Sequence, residues 1–437
     1  MSNWIGDTFV SEAGWSHLER LVEIGDRMAA TDGELAGARA TRDALAKYAH
    51  DARLEEFTVQ GWERGEADLR AADAAFECLA LPRSPGETAT GELVDLGHGL
   101  PEAFEETDIE GKIVVCDTNV PSWYDRFIHR REKYYYAVEE GAAAFVFRNH
   151  IEGCLAPTGS VGTEDRPIGD IPAVGISKEA GARLARAHEG EQVTVDVELA
   201  AAPPDATSRN VHAELGPETD ERVLVTSHVD AHDIAEGAMD NGAGTAMVIE
   251  VARALAARED DLETRVEFVA FGSEEVGLVG SSHLAAERDP DSVRAVVNFD
   301  GVVRGRDLAA YTHGFDALDD ALEAVSDRLK HSFTANPHHG PHSDHWPFVE
   351  HGIPGYHVYS ETDDEGRGWG HTRADTLDKL DIRDLREQAV VLTELVVEIA
   401  DETTTIPHRD PQAIAAELEE QDLAEGMKVT GDWPFNG

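Results

Sequence analysis

The chain is 437 residues long and sets 37 basic residues against 87 acidic ones, a formal net charge of −50. That balance excludes general binding to nucleic acid, which draws its affinity from Lys and Arg displacing counterions, and no apolar run approaches the ~20 residues of a membrane-spanning helix. The length predicts two to three domains, and with 41% hydrophobic residues grouped in short periodic blocks the acidity belongs to the surface of a folded protein.

In chain order, residues 15–50 carry two helical stripes, the first set by Leu18, Leu21, Val22 and Ile24. From 54 to 62 the pattern turns strand-like, and short β segments follow to about 96. A compact αβ unit comes next: buried strands over 111–116 and 143–147, a helix over 134–140, and a strand near 171–177 leading into a helix over 179–187. Residues 200–205, Ala-Ala-Ala-Pro-Pro-Asp, read as its exit linker. Beyond them strands over 222–227, 265–271, 294–299 and 356–359 alternate with helices over 243–257, 281–288, 316–329 and 384–399, the pattern of a doubly wound, mostly parallel α/β sheet. An acidic tail with a helix over 410–425 ends the chain.

Ligands of such sheets bind beyond the carboxyl ends of the strands, so the residues just after each strand matter most. Here they are of one chemical kind. The first strand delivers His228 and Asp230, the next helix begins at Asp240, the second strand is followed by Glu274 and Glu275, the third by Asp300, and the last by His371 and Asp375. Each piece alone is weak, but two imidazoles and several carboxylates at one sheet edge would repel unless cations neutralise them. Histidine with carboxylate suits zinc or another borderline divalent ion.

These motifs give the chain a family resemblance. Ser227-His228-Val229-Asp230, Gly237-Ala238-Met239-Asp240-Asn241, Glu274-Glu275, Asn298-Phe299-Asp300, Ser343-Asp344-His345, Gly352-Ile353-Pro354 and His371-Thr372-Arg373-Ala374-Asp375 resemble those of the co-catalytic di-zinc exopeptidases, which include leucyl-type aminopeptidases and plasma glutamate carboxypeptidase. The unit from 89 to 204, with Asp108-Ile109-Glu110-Gly111-Lys112 and a run over 141–147, looks like the protease-associated domain inserted in many of them. The resemblance implies a zinc exopeptidase fold made of residues 1–88 and 205–406, a non-catalytic insertion over 89–204 and a tail over 407–437.

It also implies two Zn²⁺, replaceable by Co²⁺ or Mn²⁺. His228, Asp240 and Asp300 would hold one ion, and Asp240, Glu275 and His371 the other, with Asp240 bridging. Glu274 is the candidate general base, although the roles of Glu274 and Glu275 can be exchanged on sequence alone, and Asp230 is expected to fix the His228 tautomer or else to cap a turn. His338, His339, His342 and His345 look like a His-rich metal tract, but the sheet-edge set already satisfies two ions and this loop follows a predicted helix, so a third metal site is not expected and a pocket-lining role is considered for His345 alone. Tyr356 and Tyr359 are expected in the core or at the rim, with one of them a possible oxyanion donor, because Gly370 stands where some relatives place a tyrosine that donates to the oxyanion.

The favoured activity is aminopeptidase hydrolysis of peptides by metal-activated water. A carboxypeptidase or dipeptidase is the alternative, for which Arg304, Arg306, Arg367 and Arg373 are the available carboxylate anchors; a non-catalytic receptor-like module is the third reading. Asp344 and Glu274 are the acceptors foreseen for a substrate ammonium. Three cysteines without paired spacing and an N-terminus lacking a basic, apolar leader predict a cytoplasmic protein, with peptide as its partner and neither nucleic acid nor membrane. Seven lysines against 30 arginines, with abundant compact carboxylates, make the surface halophile-like.

Overall fold

The computed structural model describes residues 3–124, 126–362 and 368–435. The chain divides into two compact units, the first made of Met1–Val59, Thr207–Asp364 and Asp375–Leu418, the second of Gln60–Ala206, Glu365–Ala374 and Glu419–Gly437.

The first unit is built on a mixed sheet of eight strands: β1 (His50–Val59), β2 (Ala206–Leu215), β3 (Arg222–His228), β4 (Arg265–Phe271), β5 (Val293–Phe299), β6 (Leu308–Tyr311), β7 (Phe333–Asn336) and β8 (Gly355–Ser360). Their spatial order is β1-β2-β4-β3-β5-β8-β6-β7. The centre is parallel, β4 on β3, β3 on β5 and β5 on β8, while β2 on β4 and β6 on β8 are antiparallel. β3 and β4 are buried at every position after the first, because helices cover both faces of a parallel sheet and leave no solvated side to alternate against. Helices Ala243–Ala256 and Ile382–Ala400 are correspondingly buried at most of their positions. One core cluster joins Leu224, Val269, Phe271, Val296 and Phe348, tying the central strands together.

The second unit holds its own eight-stranded sheet, running in space from Ala74–Phe76 through Glu63–Ala71, Gln192–Ala201, Thr88–Asp95, Ile113–Asp117, Ala144–Arg148 and Ala173–Ile176 to Cys78–Ala80. Tyr134 and Tyr135 of helix Arg130–Glu139 pack edge-on at 5.0 Å and join Phe104, Phe145 and Phe147 in its core. Helix Ala424–Thr430 belongs to this unit, and Arg131 pairs with Asp432 at 2.8 Å.

The predicted strands and helices of the first unit recur with ends shifted by a few residues, and the helix over 316–329 is found as Asp316–Leu329. The linker is shorter than expected. Strand Gln192–Ala201, burying Val193, Val195 and Val197 on alternate positions, extends through Ala201, and β2 begins at Ala206. β2 escaped sequence reading because it buries Asn210 and His212, polar residues that break an apolar run. β6 and β7, four residues each, are too short for periodicity to reveal.

Candidate active site

The site of the first unit forms where β3, β4 and β5 end. Register places His228 beside Phe271 across the β3–β4 pair, so the loops that follow leave the sheet side by side. The His228 ring is buried, and its Nδ1–H donates to the Asp230 carbonyl at 3.1 Å, with the Asp230 carboxylate 3.5 Å away. This bond fixes the tautomer and leaves the Nε2 lone pair turned toward Asp240 Oδ1 at 3.3 Å and Asp300 Oδ1 at 3.9 Å.

The loop after His228 is held by Arg27, a buried guanidinium that donates to the carbonyls of Leu21, Val229, Glu236 and Gly237. Gly237 turns the chain at φ +59°, where a Cβ would sit 2.4 Å from Ala231. Asp375 then accepts the amides of Met239 (2.6 Å) and Asp240 (3.1 Å), setting the backbone from which the Asp240 carboxylate projects. Asn241 donates to the Phe299 carbonyl at 2.8 Å and accepts from Gly244 N, which joins the start of helix Ala243–Ala256 to the end of β5.

Asp300 follows β5 directly. Its Oδ2 accepts from Ser343 Oγ at 2.6 Å, Ser343 accepts from Asn298 Nδ2, and Asn298 accepts from Thr226 Oγ1, a relay that leaves Oδ1 facing His228. After β4, the amides of Glu274 and Glu275 donate to the two oxygens of Asp230 at 3.0 and 3.1 Å. Asp230 therefore braces two functional loops. Glu275 Oε2 meets His232 Nε2 at 2.9 Å, while Glu274 Oε2 lies 3.9 Å from His228 Nε2, so the adjacent glutamates point to different partners.

The electrostatics follow from crowding carboxylates under cover. Burial pushes Glu274 well above the ordinary carboxylate value, with the charges of Glu275, Asp344 and Asp300 adding to the shift against His228. Burial alone would keep His228 neutral, but Glu274, Asp230, Asp240 and Asp300 outweigh it and raise the imidazole well above its usual value. A field that favours a proton at Nε2 favours a divalent cation there even more. His228 Nε2 is buried without a hydrogen-bond partner, and the ligand atoms of His228, Asp240 and Asp300 lie within 4.8 Å of one another. This donor set fits one zinc-sized ion.

Of the residues singled out by sequence, the first unit brings together His228, Asp230, Asp240, Glu274, Glu275 and Asp300. His371 belongs to the second unit, where it is buried with its Nδ1 3.3 Å from the Thr158 carbonyl and its own carbonyl accepting from Thr158 N. His232 was missed, though its spacing of four residues from His228 was the available signal. Ser343 and Asn298 stand in motifs named above, which do not give away their positioning contacts, and Arg27 stands in none of them.

Residues 210–396 match the family model described as Peptidase family M28, and residues 89–184 match that of the PA domain. Residues 210–396 are thus similar to an M28 peptidase domain. It is 27% identical over 405 residues to Aminopeptidase YwaD of Bacillus subtilis (strain 168), covering 89% of this chain and 85% of that one. Among solved structures it is similar to BSAP, a zinc aminopeptidase from Bacillus subtilis, at 25% identity and TM-score 0.69, covering 88% and 93% of the two chains. It is also similar to an aminopeptidase from Aneurinibacillus sp. strain AM-1, at 27% identity and TM-score 0.68, covering 93% and 98%.

Within the first unit two histidines of the His-rich tract, His339 and His345, join an aromatic stack with His313. His345 packs on His313 at 4.7 Å and on His357 at 5.1 Å, His339 pairs with Glu417, and among the described residues this tract forms no group of three converging metal ligands. Tyr356 is wholly buried with its hydroxyl donating to the Leu318 carbonyl, so it belongs to the core and is no oxyanion donor. Asp344 is also wholly buried, and burial pushes it up to about 8. Of the four arginines considered as carboxylate anchors, Arg306 pairs with Glu387 and Arg373 with Glu77, while Arg367 lies outside the described residues.

Proposed function

We propose that the protein is a two-zinc aminopeptidase that removes N-terminal residues from peptides. The observation that carries this reading is the buried His228 Nε2 facing Asp240 and Asp300 beside a second carboxylate–imidazole pair, Glu275 with His232. The relatives named as aminopeptidases, BSAP a zinc one, support it. His228, Asp240 and Asp300 would hold the first ion; Asp240, Glu275 and, by the family resemblance, His371 would hold the second. When bound, zinc polarises the scissile carbonyl and makes water acidic enough to attack at neutral pH. Glu274 takes the proton of the attacking water and returns it to the departing amine, the task for which a carboxylate beside the ligands but bound to none is placed. Asp230 keeps Glu274 and Glu275 in register through their amides and keeps His228 in the tautomer that ligates.

Direction follows from charge. The engagement of Arg306 and Arg373 by Glu387 and Glu77 takes two candidate carboxylate anchors away, and a chain of net charge −50 repels an anionic end over long range. The metal claim has a direct test: exhaustive chelation should abolish peptide hydrolysis, zinc or cobalt should restore it, and elemental analysis should find two ions per chain. Full activity in metal-free protein would end this reading.

A further inference from the structure

Away from the catalytic cluster, the first unit brings a second set of metal-ligating side chains together. Glu55 of edge strand β1, and His283 and Glu287 of helix Val279–Glu287, each offer one ligand atom, and the three atoms lie within 4.8 Å of one another. His283 and Glu287 stand four residues apart and so share one face of the helix, with His283 Nε2 3.8 Å from Glu287 Oε1. That separation is too long for a hydrogen bond. It is close to the ~3.4 Å between two ligands of one tetrahedral zinc, whose bonds are ~2.0–2.1 Å long.

Two of the three ligands are held from behind. The His283 ring stacks on Phe57 at 5.4 Å and 29°, which fixes its plane. Glu55 Oε2 accepts from His212 Nε2 at 3.1 Å and from Asn210 Nδ2 at 3.4 Å, so both bonds fall on one oxygen and the other is left for a cation. His212 is buried and bonded through Nδ1 to Glu267 at 2.9 Å, giving Glu55 the hydrogen-bonded support that ligating carboxylates have. Glu287 closes its helix, where the carbonyl end of the dipole adds negative potential and favours a positive ion. No lysine or arginine meets that potential. Arg53, Arg222 and Arg288 are drawn to Glu267, and among the described residues no lysine or arginine pairs with Glu55 or Glu287.

We propose that Glu55, His283 and Glu287 form a further zinc site, separate from the catalytic cluster, with water completing the coordination. One imidazole with two carboxylates suits a borderline ion, whereas calcium takes six to eight oxygens. The three ligands are partly exposed, so this ion is released into zinc-free buffer more readily than one held by buried ligands. Bound, it ties the edge of the sheet to the helix by which the turn of Glu274 and Glu275 leaves the site. The amides of Gly277 and Leu278 both bond the Glu274 carbonyl at 2.9 Å, and the helix begins at Val279. The ion pins that helix to β1 and takes no part in hydrolysis.

The test measures zinc uptake by the full chain, first dialysed against zinc-free buffer and then equilibrated with rising zinc in molar sodium chloride, which screens the diffuse attraction of cations to the −50 formal charges. The wild type should bind one ion beyond those it retained, calcium at the same concentration should not displace it, and the melting temperature should rise by roughly 2–4 °C on binding. His283→Gln and Glu287→Gln should each weaken this uptake by about tenfold or more and lose the rise in melting temperature. Both variants should still unfold cooperatively in zinc-free buffer and keep the ions the wild type retains there. A wild type that binds no further ion, displacement of zinc by calcium, or uptake by both variants as tight as that of the wild type would overturn the site, and each would leave the aminopeptidase reading standing.

Discussion

Glu274 and Glu275 leave the same turn, braced by one carboxylate, yet one reaches His232 at 2.9 Å and the other lies 3.9 Å from His228. A ligand and a base must be separated in this way, because a carboxylate that gives its lone pairs to a metal cannot also carry a proton. Glu274→Gln is expected to keep both metals and lose kcat by roughly 10²–10⁴-fold, whereas Glu275→Gln should lose a metal ion. Elemental analysis of the two variants, read beside their rates, distinguishes the roles; metal loss from the Glu274 variant alone would reverse them. The gathering of His228, Glu274, Glu275 and Asp300 was legible in the sequence because each follows a strand end, where a doubly wound sheet must put its chemistry. The contacts of Ser343 and Arg27 were not, since the bond of the serine to Asp300 and those of the arginine to four carbonyls exist only once folding brings the partners together.

Among elements, the central strands and covering helices could be read because burial on both faces makes their sequences uniformly apolar, while the flanks could not. β2 buries His212 against Glu267 at 2.9 Å and Glu55 at 3.1 Å, a polar core that hydrophobic periodicity does not register. The helix pair Ala13–Ile24 and Asp32–Leu45 holds a similar feature in His17, whose Nε2 donates to Thr41 at 3.0 Å while Thr41 donates to the Gly37 carbonyl. Burial, helped by Arg27 and Lys47, pushes His17 down to about 3. The folded ring is then neutral where the unfolded one takes a proton, near pH 6.5, so stability from this group is present above pH 6.5 and is lost as the pH falls toward 3. Between pH 7 and pH 5 this amounts to about 2 kcal/mol. Denaturant unfolding at the two pH values should show that loss in the wild type and a smaller one in His17→Gln; equal losses would mean that the buried ring does not drive it.

At the scale of the whole molecule, −50 formal charges must be held together by a core of ordinary apolar content. In dilute buffer the repulsion acts over tens of ångströms, and at molar salt over ~3 Å. Melting temperature and activity are therefore expected to climb from dilute buffer to multimolar salt, and a melting temperature indifferent to salt would contradict a halophile-type surface. Charge also bears on direction, because a free amine is drawn to this surface and a free carboxylate is repelled. Two units, a doubly wound sheet and an inserted αβ module were legible from the alternation of strands and helices along the chain. The meeting of Glu55 with His283 and Glu287 was not, since β1 and helix Val279–Glu287 are far apart in the chain until folding joins them. The claim that this is an aminopeptidase is tested most directly by the turnover of one tripeptide, free, N-acetylated and C-amidated, by the zinc-loaded protein. The free and amidated forms should be cleaved at their first bond and the acetylated form left intact; cleavage of the acetylated form with loss of the amidated one would show an enzyme that works from the carboxyl end.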